Sequence, residues 1–284
     1  MNNPDDEVTA RTRLKFTSIA WTGCVWIGFA IVACALAPLA FHLSATSTDV
    51  ANAYASPSFA HWLGTDGLGR DELARLLIGG RITLSVGAIA AAVAMLIGTA
   101  YGAIAGYYGG VVDAILMRLV DVFLSVPTLF LLLFLAAMFH GSLIALMLVI
   151  GATAWLGPAR LVRGEVLSLK ERLFVEAARS VGASDARIIF RHVVPNAGGT
   201  IITTTTFMVA TAMLSETALS FLGIGVRAPM PSWGNLLSSA QSDLFAGAWW
   251  LIVPPGLAIL ATVCAFHFLG DWLREGRDTG VAGS

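Results

Sequence analysis

Six apolar runs decide what this chain can fold into. They lie at about 18–40, 83–107, 119 or 120–139, 142–161, 199–222 and 251–269. As helices rising about 1.5 Å per residue, runs of this length cross a hydrocarbon layer about 30 Å thick. Only 12% of the residues are charged and 57% are hydrophobic, whereas a soluble domain carries about a quarter charged. The expected fold is therefore all-α: a polytopic membrane protein with six transmembrane helices. The first run is read as a retained anchor. A cleaved signal peptide, with Ala35-Leu36-Ala37 as its cleavage site, fits less well, because the run is too long and Pro38 would follow the cut.

The placement of charge gives direction. Six spans put both termini on one side. That side collects Arg11, Arg13, Lys15, Arg118, Arg160, Arg163, Lys170, Arg172, Arg179, Arg187, Arg191, Arg274 and Arg277, which is 13 of the 17 Lys and Arg. Arg70, Arg75, Arg81 and Arg227 fall opposite. Basic loops stay inside, so both termini and the 162–198 connection are expected in the cytoplasm.

The runs differ in texture. The second carries small residues at every fourth position, Ala90, Ala94, Gly98, Gly102 and Gly106, with Gly110 just beyond. That spacing makes one helical ridge where another backbone can come close, in this chain or in a partner. Pro127 kinks or interrupts the third run, and His140-Gly141 makes a very short turn into the fourth, which holds Pro158 near its end. The fifth is rich in hydroxyls. Thr200, Thr204, Thr211 and Ser215 fall on roughly one face, either bonded back to their own helix or lining a wet conduit. Glu216 beside them is costly in lipid, so it lines the route or pairs structurally with a neighbouring helix. Trp249 and Trp250 stand where an interfacial aromatic belt belongs. Pro254-Pro255 open the last run, where their missing amides matter least.

Between the fourth and fifth runs, seven basic residues face four acidic ones (Glu165, Glu171, Glu176 and Asp185) from Arg160 to Arg191. Phe174, Ala177, Ala178 and Val181 recur at helical spacing. Gly182 follows where a left-handed C-terminal cap is wanted. Ser184 or Asp185 caps a second helix, Ala186, Ile189, Phe190 and Val193 repeat the apolar spacing, and Pro195 stops it. An amphipathic helix pair with a surface kept low by two alanines reads as a docking element. The stretch before the second run, His61 to Asp71, has no role that physical reasoning alone supplies, and Asp71 to Ile78 looks like a short amphipathic helix. Cys24, Cys34 and Cys264 lie in apolar runs without metal-ligand or disulfide spacing. No Gly-x-x-x-x-Gly-Lys-Ser/Thr loop, catalytic triad or paired-carboxylate pattern occurs, so the chain is not read as an enzyme, and no cofactor is expected.

Glu176, Ala177, Ala178, Gly182 and Pro195 resemble the cytoplasmic coupling loop of ABC-importer permeases. The segment after the first run, and Phe221 through Asn235 with Pro229, Pro231, Trp233 and Gly234, resemble the dipeptide, oligopeptide and nickel branch, in its C-type subunit. The resemblance covers His61 to Arg274. It implies a cytoplasmic tail over 1–16, a six-helix permease unit over 17–270 with its coupling loop at about 164–197, and a cytoplasmic tail over 271–284. It also implies a bacterial inner-membrane location and an importer of peptides, with nickel the alternative. The implied partners are a second, related permease in a heterodimer, two ATP-binding subunits, a periplasmic solute-binding protein and the lipid bilayer, with no nucleic acid. A reading from another class is an ion-coupled secondary transporter relaying protons through Glu216 and Asp121, against which stands the lack of an evident inverted repeat.

Overall fold

The computed structural model describes residues 4–139, 142–243 and 247–281. The expected His140-Gly141 turn lies outside them. Every regular element described is helical: α1 (Pro4–Ala40), α2 (Glu72–Tyr108), α3 (Gly110–Leu124), α4 (Thr128–Met138), α5 (Leu143–Ala154), α6 (Leu156–Leu169), α7 (Leu173–Ser180), α8 (Asp185–Ile188), α9 (Val194–Asn196), α10 (Gly198–Phe221), α11 (Trp233–Asp243) and α12 (Val253–Val281).

Ala20–Ala40, Glu72–Tyr108 and Trp249–Glu275 are long and apolar enough to cross a membrane unbroken. Three further crossings are bent pairs: α3 with α4 at 81°, α5 with α6 at 45°, and the 185–196 segment with α10 at 65°. Six spans result when each pair counts once. The interruption near Pro127 is sharper than a kink, because Pro127 takes an extended conformation and becomes the N-cap of α4. The fourth run breaks at Trp155 rather than at Pro158, which tolerates the first turn of α6 for want of an amide obligation there.

α2 is the axis of the molecule. At 37 residues it is about 55 Å long, well beyond the bilayer core. The separate short helix expected from Asp71 to Ile78 is instead its first two turns. Gly79 and Gly80 do not break it; they admit the backbone around Ser232 and the Trp233 ring. Asp71 caps α2 by accepting from the Ala74 amide at 2.9 Å and also meets His61 Nδ1 at 2.9 Å.

Packing around α2 forms three layers. Midway, Val86, Ala90, Leu132, Leu146, Ile150 and Leu219 join α2, α4, α5 and α10. At the end holding the α2 N-terminus, Cys34, Met213, Trp233, Leu236 and Ile259 draw in α1, α10, α11 and α12. At the other end Ala103, Tyr107, Val166, Val175, Ile188 and Val193 tie α2 and α6 to the 173–197 segment. The glycine ridge faces α6: a Cβ on Gly98 would lie 2.7 Å from Pro158 Cβ, one on Gly102 2.9 Å from the Arg163 amide nitrogen, and one on Gly106 2.9 Å from the Arg163 carbonyl.

The segment before α2 folds around Asp66, which is 4% exposed. Its carboxylate accepts from the Leu68 and Arg70 amides, both at 2.9 Å, and from the Arg70 and Arg75 guanidiniums. Tyr54 Oη donates to Asp243 Oδ1 at 2.7 Å, an interaction that holds the phenol above its usual range. The aromatic-belt expectation needs correcting for one of its two residues. Trp249 is 59% exposed, but Trp250 is buried and donates through Nε1 to the Thr65 carbonyl at 3.1 Å.

Candidate functional site

Two surfaces carry the residues singled out from the sequence. The first is the end of the molecule formed by α7, α8 and α9. α7 buries Val175 and Ala178 and leaves Leu173, Phe174, Ala177 and Val181 exposed. It stops at Gly182, whose φ of +79° lies where a Cβ is disfavoured. The Ala183 amide bonds back to the Ala178 carbonyl at 3.1 Å, closing the cap. Ser184 then opens α8 by accepting from the Arg187 amide at 3.4 Å.

Pro195 lies inside the end of the second helix, which stops one residue later at Asn196 before a 65° bend into α10. A π turn over Ile189–Val193 runs into α9, which carries Pro195 in its first turn and continues to Asn196. The wider turn accommodates a residue that has no amide to donate. It also rotates the apolar register, so Ile188, Ile189 and Val193 are buried while Ala186 and Phe190, expected on the same face, are exposed. Between the two helices lies an open cleft of about 730 Å³. Phe174, Ala177 and Val181 form one wall, Arg187, Arg191 and His192 the other, and Ala178 the floor. Glu176 and Pro195 are exposed outside it.

The helix pair is fastened to the membrane domain by specific bonds. Tyr107, in the last turn of α2, donates to Asp185 Oδ1 at 2.7 Å. Arg179 reaches the same hydroxyl at 3.4 Å and stands over the ring, 5.9 Å from its centroid. Lys170 Nζ donates to the Gly106 carbonyl at 3.0 Å, and Arg163 pairs with Asp113 at the start of α3.

The second surface is a groove along α10. A cavity of about 420 Å³ nearer the coupling end is lined by Leu161 and Glu165 of α6, Thr200 and Thr204 of α10, and Arg274 of α12. Thr200 Oγ1 donates to Glu165 Oε2 at 2.7 Å. A further cavity of about 180 Å³ takes in Thr128, Thr153, Thr211 and Ser215. Thr211 and Ser215 donate to the carbonyls of Phe207 and Thr211, at 3.0 and 2.9 Å, so these two hydroxyls bond back to their own helix.

Glu216 departs from this face. It is fully buried, accepting from Thr83 Oγ1 at 3.1 Å and Ser220 Oγ at 2.6 Å. Ser220 Oγ in turn accepts from the Val226 amide at 2.9 Å, and Thr83 Oγ1 from the Trp233 amide at 3.2 Å. The carboxylate thus joins α2, α10, the 222–226 turn and α11. Asp121, at the other end of the proton relay weighed above, pairs with Arg160 of α6. Thr128, Thr153 and Glu165 are groove residues that the sequence reading does not mark as such. The spacing of Gly157, Leu161 and Glu165, four apart on one helical face, is the signal available.

Three unbroken and three bent apolar spans define a polytopic membrane protein, and it carries an open basic and apolar cleft at one end. Residues 98–279 match the family described as binding-protein-dependent transport system inner membrane component, and the chain belongs to that family. Among its relatives, the oligopeptide transport system permease protein OppC of Bacillus subtilis is 38% identical over 95% of this chain and 88% of its own length. The dipeptide transport system permease protein DppC of the same organism is 37% identical over 94% of this chain and 83% of its own. The glutathione transport system permease protein GsiD of Pectobacterium atrosepticum is 41% identical over 78% and 73%.

Proposed function

We infer that this chain is one of two membrane-spanning subunits of an ABC importer for short peptides. In this reading it has no ATP site of its own, and two partner ATPases dock at the 173–197 segment. A solute-binding protein delivers cargo at the opposite end, where α11 and the 61–75 segment lie. Peptides are favoured over nickel because relatives similar along most of the chain are named for oligopeptides, dipeptides and glutathione. The basic bias of the coupling end supports its facing the cytoplasm, with both termini on that side.

The observation that carries the reading is the cleft around Ala177 and Ala178. Exposed apolar side chains at the end of a membrane protein, flanked by arginines and cut to a low profile by alanine, suit a protein knob of apolar and acidic character. Closure of an ATPase dimer would carry α7 and α8 with it. The Tyr107–Asp185 bond, Arg179 and the buried cluster around Ile188 would pass that movement to α2 and α6. Because α2 runs unbroken to the far face, displacement at one end is felt at the other, a rigid-body transition of packed elements. Thr200, Thr204, Thr211 and Ser215 line the path of the solute, and Glu216 fixes the frame beside it.

Replacing Gly182 tests the coupling. Nothing lies within 4 Å of a Cβ there, so a larger residue alters backbone conformation rather than colliding with a neighbour. A left-handed conformation costs a non-glycine residue about 1–2 kcal/mol. Gly182→Val in the reconstituted transporter should lose peptide uptake while the chain still inserts and the ATPases still turn over. Normal uptake in that variant would refute the coupling role.

A further inference from the structure

The two cavities along α10 share two lining residues, Gly157 of α6 and Met208 of α10. On either side of this pair polar groups are set into largely apolar walls: Glu165, Thr200, Thr204 and Arg274 on one side, Thr153, Thr211 and Ser215 on the other. The pair itself offers a bare α-carbon and a thioether.

Packing within this chain does not explain Gly157. At Gly98, Gly102, Gly106 and Gly151 a Cβ would meet a neighbouring helix within 3.0 Å, so close approach accounts for those glycines. At Gly157 nothing lies within 4 Å, the residue is exposed, and its φ is outside the left-handed region. A side chain here would cost the fold nothing in space and would favour the helix. What it would fill is the passage between the two cavities.

The geometry points to Gly157 and Met208 as the waist of the solute route, the place where its width is set and where it closes. This rests on the reading of the α10 face as the path. Absence of a side chain at 157 leaves room for an extended peptide backbone. Met208, unbranched and flexible, can swing aside for side chains of different shape. With no cargo present, a narrow place walled by an α-carbon and a thioether resists wetting and so holds back ions. The waist therefore acts on the bulk of the passing side chain and not on its charge.

The test adds bulk after assembly, so that folding is not in question. Thr204→Cys and Ser215→Cys, one in each cavity, report on the path through reaction with a membrane-impermeant methanethiosulfonate, measured against the parent chain treated alike. Gly157→Cys in the intact transporter is then treated with the methyl or the benzyl reagent, and adduct formation is followed by mass spectrometry. The methyl adduct should leave most peptide uptake in place. The benzyl adduct should lower it by roughly tenfold or more with ATP hydrolysis retained, and Met208→Ala in the same chain should recover part of it. If Thr204→Cys and Ser215→Cys react but the benzyl adduct leaves uptake unchanged, or if Gly157→Cys does not react, the waist is refuted and the path stands. If neither cavity variant reacts, the path is refuted and the waist falls with it.

Discussion

At the scale of single residues, the buried polar groups separate what holds the frame from what faces the groove. Glu216 is four residues beyond Ala212 and one beyond Ser215, so sequence places it beside the hydroxyl face. One step along a helix turns a side chain by about 100°, and that step takes Glu216 into the interior, where two hydroxyls satisfy it. Glu216→Ala takes the acceptor from the Thr83 and Ser220 hydroxyl hydrogens and leaves a cavity, a loss of about 1–3 kcal/mol for each buried donor left unpaired. The apparent thermal midpoint of the purified transporter should fall, with Glu216→Gln falling less. A residue that only lined the path would change uptake and leave that midpoint alone. Tyr107 invites the complementary measurement. Tyr107→Phe keeps the ring under Arg179 but removes the hydroxyl that bonds Asp185, worth about 0.5–1.5 kcal/mol. Uptake per ATP hydrolysed should drop while the midpoint moves little.

Elements show where local sequence rules hold and where tertiary context overrides them. The Gly182 cap is legible because only one residue type suits a positive φ, and the run of Thr and Ser marks α10 as unusual. Pro195 reads as a terminator, yet it sits within the helix, which ends one residue later, because its missing amide excludes it from a helix only at normal pitch. A π turn at Ile189–Val193 removes that condition, and nothing in the local composition announces it. The early start of α2 is hidden for a similar reason. The pair Gly79-Gly80 serves close approach by Ser232 and Trp233, contacts far away along the chain. The α2–α6 seam gives the sharpest contrast among glycines. Gly102→Leu drives a side chain into the α6 backbone and should abolish accumulation of the chain in membranes. Gly164→Ala, where a Cβ meets nothing within 4 Å, should accumulate normally or gain about 0.4–1 kcal/mol from the lost freedom of the unfolded chain. Immunoblotting of membrane fractions distinguishes the two.

For the whole molecule, the two ends differ in how their charge is used, and that difference is what orientation rests on. At the end with α11, three of the four basic residues are occupied: Arg70 and Arg75 converge on Asp66, and Arg81 donates to the carbonyls of Cys34 and Ala35. Only Arg227 of the four is exposed. At the coupling end Arg172, Arg179, Arg187 and Arg191 all present themselves to solvent, although Arg179 also serves Tyr107. The imbalance in solvent-facing charge is therefore steeper than the sequence totals alone imply, and basic residues flanking spans are retained on the cytoplasmic side. Ser56 and Ser180 are exposed on opposite ends, which makes them reporters. In intact spheroplasts an impermeant thiol reagent should label Ser56→Cys at once and Ser180→Cys only after permeabilisation. The reverse pattern would put the Gly182 bend where there is no ATP, and no lever driven by nucleotide hydrolysis could then act on α2 through Tyr107.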